Sequence, residues 1–217
     1  MSTAKPLGEN GLPRIRSTKP QLFVTAILVT VPALMGYAIA YYGIYLRGPV
    51  ATYDARIAAL ERADLHWACA AVVVLGRLVA FVNGYPMAHK GRIVLPRSGN
   101  LRVNPYFYKT IGVGATENLV ALVEDGVIGQ YNRANRSLHH MIENYGAVLA
   151  GLVLGAKVFP YDIFVITAAF GVGRVLHQVG YTWGFGGHAV GFYIATLAAN
   201  ALEGLHLIVV LKIAGYV

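Results

Sequence analysis

The sequence predicts an all-α integral membrane protein: a four-helix bundle with one additional N-terminal transmembrane helix. Three observations carry this. Of the 217 residues, 56% are hydrophobic and only 13% are charged, whereas a soluble domain carries roughly 25% charged residues. Mean hydropathy is +0.54. The charges cluster between long apolar runs, as basic loops do on one side of a membrane.

The charge excess, 18 Lys+Arg against 10 Asp+Glu for a net +8, would suggest nucleic acid on a soluble protein. Its placement in loops points instead to membrane lipid as the partner, with no nucleic acid. Cys69 is the single cysteine, which excludes an intramolecular disulfide framework.

Residues 1–20 form a basic leader with Lys5, Arg14, Arg16 and Lys19. Residues 21–46 hold an uncharged run, Leu22–Tyr45, too long for the apolar core of a signal peptide and suited to a retained span. After the charge-balanced connector Arg47–Asp64, residues 65–217 read as the four-helix domain. Its first helix is Leu65–Val82. A long basic connector follows at 83–132, with Lys90, Arg92, Arg97, Arg102 and Lys109. Within it Asn118–Ile128 is semi-apolar but interrupted by Glu124 and Asp125, and reads as a short interfacial helix. The remaining spans are Arg136–Lys157, Ile163–Tyr181 and Ala189–Ile213. The short links between them force antiparallel neighbours.

Five spans put the termini on opposite sides. The leader and the Lys90–Lys109 segment share the cytoplasmic or matrix side, in an endoplasmic reticulum or mitochondrial membrane. That segment is expected to meet anionic head groups. Tyr108, Tyr161, Tyr181 and Trp183 read as interface anchors.

Ionisable groups inside spans are expensive, so each is a functional candidate. At about 100° per residue, Arg136, His140 and Glu143 share one helical face, with Arg133 one turn before and Asn144 adjoining. On the next helix Arg174, His177 and Tyr181 form a second stripe, and Gly171, Gly173 and Gly180 permit close helix approach. Facing one another, the stripes describe a cation-rimmed pocket, with Glu143 and Arg174 paired at mid-depth. Such a lining suits a small anionic or zwitterionic ligand. Arg77 is expected to face inward, toward Glu203 or a ligand carboxylate, and Glu203 with His206 is either a site or polar glue. No metal is expected, since adjacent His139 and His140 diverge and no Cys/His pair has zinc spacing. Gly112-Val113-Gly114 lacks the Lys-Ser/Thr of a phosphate loop.

The segment Arg136-Ser137-Leu138-His139-His140-Met141-Ile142-Glu143 resembles the Arg-x-x-x-Asn-x-x-Glu motif of the MAPEG family, the membrane-associated proteins of eicosanoid and glutathione metabolism. Gly173-Arg174-Val175-Leu176 with Gly180-Tyr181 looks like the third-helix segment of microsomal glutathione transferases of the type-3 kind. The likeness runs from Arg133 to the C-terminus, with Leu65–Val82 as the first family helix. It implies a four-helix protomer, a homotrimer, and glutathione as co-substrate held between protomers, acting on lipophilic electrophiles or lipid hydroperoxides. The implied glutathione contacts are Arg133, Arg136, Glu143, Arg174 and Tyr181, to which the stripes add His140, Asn144 and His177.

Three positions depart from the pattern. His140 replaces the motif Asn, and His177 stands where the third helix often has Tyr. The Thr182–His188 link has no Lys or Arg, leaving His188 nearest the position of the thiolate-activating arginine and thus the candidate catalytic residue. A noncatalytic accessory or scaffold subunit of a larger membrane complex, possibly mitochondrial, is the alternative expectation.

Overall fold

The computed structural model describes residues 18–93, 104–111 and 119–216. Most of the basic leader, Arg97 and Arg102 of the connector, and Gly112–Gly114 lie outside the described residues. The chain is mostly helical. Among the described residues four helical stretches are long and apolar enough to cross a membrane, Gln21–Tyr45, His66–Lys90, Pro160–Trp183 and Gly186–Ile213. They make this a membrane protein.

Helix α1 (Thr18–Ala38) runs on into a π-helical stretch, Ile39–Tyr45, and none of its apolar window is buried in the protein. The connector expected at Arg47–Asp64 contains a polar helix, α2 (Val50–Arg62). Asp64 then turns the chain in a left-handed conformation, φ 55°, which a short polar side chain tolerates.

Helix α3 (His66–Lys90) extends two turns beyond the expected end at Val82. Its buried residues Ala71, Leu75, Leu78 and Val82 recur at helical spacing, so one stripe faces the bundle. Pro86 lies inside it and cannot donate to the carbonyl four residues back. That carbonyl, on Val82, accepts from Gln178 Nε2 at 3.0 Å instead. In a hydrocarbon setting such a substitute partner lets the helix continue.

The connector holds a hairpin where a short helix was expected. Strand β1 (Tyr108–Ile111) pairs antiparallel with β2 (Leu119–Leu122), Tyr108 opposite Leu122 and Thr110 opposite Val120. The apolar run Leu119–Val123 is five residues long, a length that fits a strand as readily as a helical turn. Its anchor is Asn132, which accepts from the Phe107 N–H and donates to the carbonyls of Phe107 and Val123. Lys90 Nζ donates to Asn104 Oδ1 at 2.7 Å, Tyr131 to the Pro105 carbonyl, and Asn135 to the Asn104 carbonyl. The hairpin is thereby pinned to the first turns of the next helix.

That helix, α4 (Gly126–Gly155), starts ten residues before the expected span. Gly126 adopts φ +60°, a conformation that glycine takes without strain. The helix has the length of a span, but its polar stripe leaves it outside the set of apolar helices. Tyr131, Ala134, Leu138, Met141, Val148 and Leu152 form its buried stripe. Helix α5 (Pro160–Trp183) begins on a proline, which needs no N–H there. A 3₁₀ turn, Phe185–His188, leads into α6 (Ala189–Ile213).

Helix α5 packs against α3, α4 and α6, while α4 also touches α3 and α6, and α1 lies on α3. Trp67 at the start of α3 meets Tyr161 and Phe164 at the start of α5, and His89 near its end meets Trp183. These two helices therefore run parallel. Helices α4 and α6 run opposite to α5: an added Cβ on Gly155 would lie 2.7 Å from Ile163, and one on Gly173 would lie 2.5 Å from the Ala195 nitrogen. The close approach expected at Gly173 and Gly180 is present; Gly171 makes only ordinary contact, at 3.8 Å.

Candidate functional site

Helical periodicity places Arg136 and His140 on one face of α4, and His177 and Tyr181 on the facing stripe of α5. The 3₁₀ turn completes the arrangement. An added Cβ on Gly180 would sit 2.0 Å from the Gly187 carbonyl oxygen, so the turn folds directly onto α5 backbone. This contact carries His188 to 5.1 Å from the Tyr181 ring, centre to centre, at an interplanar angle of 71°.

Arg136, His140, His177, Tyr181, His188 and Phe192 line one cavity of about 210 Å³. The rings form a continuous wall. His140 and His177 lie 5.4 Å apart, His177 and Tyr181 5.8 Å, His177 and His188 5.7 Å, and His140 and Phe192 5.9 Å.

Behind the wall, Arg174 is 1% exposed. Its Nη1 donates to His140 Nδ1 at 2.7 Å, and its Nη2 donates to the Ser137 carbonyl at 2.8 Å. A guanidinium has no acceptor, so His140 Nδ1 supplies a lone pair and the ring's proton resides on Nε2. Ser137 Oγ lies 2.8 Å from His177 Nδ1 and fixes that ring's orientation. At the rim, Arg136 Nη1 pairs with Glu143 Oε1 at 3.1 Å, both side chains about half exposed (51% and 54%). Outside the spans, burial raises the Tyr106 hydroxyl above the usual phenol range, with Arg136 pulling the other way. Tyr106 lies 2.8 Å from His139 Nδ1, so His139 is occupied outside the cavity.

The structure thus brings together Arg136, His140, His177, Tyr181 and His188, with Glu143 at the rim. Several side chains are placed differently from what the sequence led one to expect. Glu143 pairs along its own helix with Arg136, two turns away, and Arg174 bonds His140 instead of Glu143. Arg174 is a positioning group behind the wall. Arg133 is spent on backbone: it donates to the carbonyls of Tyr181, Thr182 and Glu124, closing the bundle end. Asn144 donates to the His140 carbonyl one turn back and lines a different cavity, with Asn200, Glu203 and His206. Arg77 does not meet Glu203; it lies over the Tyr37 ring of α1, 5.7 Å from its centre.

Ser137 and Phe192 were not singled out in the sequence. The i, i+4 spacing of His188 and Phe192 is the signal that places Phe192 beside His188. Ser137 left no such signal, because its part is read only across two helices. Among the described residues no group of three His, Cys, Asp or Glu side chains is placed to hold a metal ion.

The cavity is rich in donors. His140 Nε2–H, the Tyr181 hydroxyl and the Arg136 guanidinium belong to residues that line it, and such groups suit electron-rich oxygen or sulfur. No family model, curated protein or solved structure matches the chain.

Proposed function

We propose that this cavity binds glutathione, and that the protein is a membrane-bound, MAPEG-type glutathione transferase or peroxidase acting on lipophilic electrophiles or lipid hydroperoxides. The observation that carries the reading is the convergence of Arg136, His140, His177, Tyr181 and His188 on one cavity, with a guanidinium–carboxylate pair at its rim. A tripeptide thiol bears two carboxylates and an ammonium. Arg136 matches the first kind of group and Glu143 the second. The half-exposed rim leaves both available to a neighbouring protomer's ligand, in line with the homotrimer that the family resemblance implies.

In conjugation the thiol proton passes to His188. The resulting thiolate attacks an electrophilic carbon, as at an epoxide, where a C–S bond forms as a C–O bond breaks. The alkoxide then takes a proton back. Donors beside the sulfur favour its anion.

One observation favours the second reading, a noncatalytic subunit of a larger complex in an endoplasmic reticulum or mitochondrial membrane. Among the lining residues the guanidinium is Arg136, held at the rim by Glu143, so no arginine stands beside His188 to stabilise a thiolate. Titration calorimetry in detergent separates the outcomes. Glutathione binding by the wild type, weakened in Arg136→Ala and Glu143→Ala, supports the site. Binding without conjugation of an aryl halide supports the noncatalytic reading, and no binding by the wild type removes the proposal.

A further inference from the structure

Glu203 is the fifteenth of the 25 residues of α6. From there to Ile213, the nearer end, runs about 15 Å of helix at 1.5 Å per residue. A glutamate side chain is too short to reach water over that length. The ion pairs found among the described residues are Lys109–Asp125 and Arg136–Glu143, so no described cation holds the Glu203 carboxylate. An ionised group at such depth calls for a partner or a water-filled cavity.

That carboxylate lines a groove of about 400 Å³ between α4 and α6, with Asn144, Asn200 and His206. Small-molecule sites occupy roughly 300–1,000 Å³ and are mostly apolar, with a few placed polar groups. Two glycines of α4 open the space. An added Cβ on Gly151 would stand 2.6 Å from Leu202, and one on Gly155 would stand 3.1 Å from His206. Ala147, Ala150 and Ala199 continue the wall, so its apolar part is built of small side chains. Asn200 and Glu203 are exposed, which opens the groove sideways to lipid.

The polar groups of the groove are acceptors. His206 Nδ1 lies 2.7 Å from the Leu202 carbonyl, and a carbonyl only accepts, so that nitrogen carries the ring's proton. In the neutral ring Nε2 then keeps a lone pair, and it is buried without a partner. Asn200, Glu203 and His206 follow one another at spacings of three residues, neighbours on the surface of α6. Asn144 spends an N–H on the His140 carbonyl and keeps its amide oxygen.

A carboxylate, an imidazole lone pair and amide oxygens match the three N–H donors of a primary ammonium. A proton on Glu203 would neutralise its charge but leave His206 Nε2 without a donor. Quaternary ammonium groups are recognised by aromatic faces, and among the described residues no Phe, Tyr or Trp lines this groove. The ammonium of a phospholipid headgroup is tethered to a phosphate at the membrane surface, away from this depth. An amine without an apolar chain stays in water. We propose that the α4/α6 groove binds a single-chain, membrane-soluble primary amine, its ammonium held by Glu203 and His206 Nε2 and steadied by Asn200. The site is separate from the donor-rich cavity, and the inference does not rest on glutathione binding.

The test uses the full chain in phosphatidylcholine nanodiscs, which contain no primary amine. Bound ligand is counted by native mass spectrometry, and folding is monitored by helicity. The probes are dodecylamine, dodecanol and dodecyltrimethylammonium, which share a chain and differ in the head. Wild type is expected to prefer dodecylamine by about tenfold or more, since only that head brings N–H donors together with a positive charge. Glu203→Gln should weaken dodecylamine binding by about tenfold or more, the scale of a lost charge-assisted bond, and His206→Phe should weaken it by less. Where Glu203→Gln loses helicity, the three probes on wild type and the His206→Phe variant decide the matter. Equal uptake of the three probes, dodecylamine binding unchanged in either variant, or no uptake because lipid, a second copy or another protein fills the groove would each overturn the proposal.

Discussion

Gln178 Nε2 donates to the Val82 carbonyl across the α3–α5 contact at 3.0 Å, and that carbonyl is the one Pro86 leaves without its helical donor. A side chain on one helix thus completes the backbone of another. Replacing Gln178 with Leu is expected to cost about 1–3 kcal/mol, the range for leaving a buried acceptor unsatisfied. In a Pro86→Ala background the restored N–H serves Val82, and the same replacement should cost less. Denaturation midpoints in detergent for the four proteins of this cycle measure the coupling. Equal costs in both backgrounds would break the link between Gln178 and Pro86.

Arg174 holds His140 and the Ser137 carbonyl from 1% exposure. Arg174→Met removes both bonds and should destabilise by about 2–4 kcal/mol, since bonds from charged donors contribute more than neutral ones. Arg174→Lys keeps the charge but not the two-pronged geometry, so its loss should be intermediate. Glutathione affinity should fall in the same order. If affinity in Arg174→Lys equals that of the wild type, the wall does not depend on this geometry.

Two glycines of α6 offer a matched pair. A Cβ on Gly191 would stand 2.1 Å from the His177 nitrogen, whereas one on Gly204 meets nothing within 4 Å. Gly191→Ala must therefore push α6 off α5 and is expected to lower the melting temperature sharply and open the cavity. Gly204→Ala should be neutral or stabilise by up to about 1 kcal/mol through helix propensity. Similar melting shifts for both would mean that the α5–α6 contact is looser than the geometry requires.

His188 lies at the cavity wall, where on the proposed reading a cation would act on the sulfur of bound glutathione. Placing a permanent charge there, His188→Arg, should lower the pKa of a bound thiol, because a cation favours the anion. The readout is near-ultraviolet thiolate absorbance on mixing with glutathione, larger in His188→Arg than in the wild type and smaller in His188→Ala. An identical signal in all three would remove His188 from the chemistry.

Much of the fold was legible in the chain, since helical periodicity is a local property. The apolar runs marked α1, α3, α5 and α6, and the polar stripes of α4 and α5 were visible as repeats of three and four residues. Their facing followed from the short turn between them. The length of α3 was not legible, because Pro86 reads as a stop until Gln178 is seen to serve Val82. The hairpin was missed for a related reason: the run Leu119–Leu122 fits either element, and only Asn132, 25 residues from Phe107 in sequence, decides between them.

The sequence alone determined which residues are dear to place in a membrane and which of them share a helical face. Tertiary structure decided what each one does there. It gave Arg133 to backbone carbonyls, moved Arg174 behind the wall, paired Glu143 along its own helix, and carried His188 and Phe192 to the cavity by way of the Gly180–Gly187 contact. The physical reason is that hydrogen bonds and ion pairs are chosen over a few ångströms. Periodicity sets the direction in which a side chain points; the packing of its neighbours sets what it reaches.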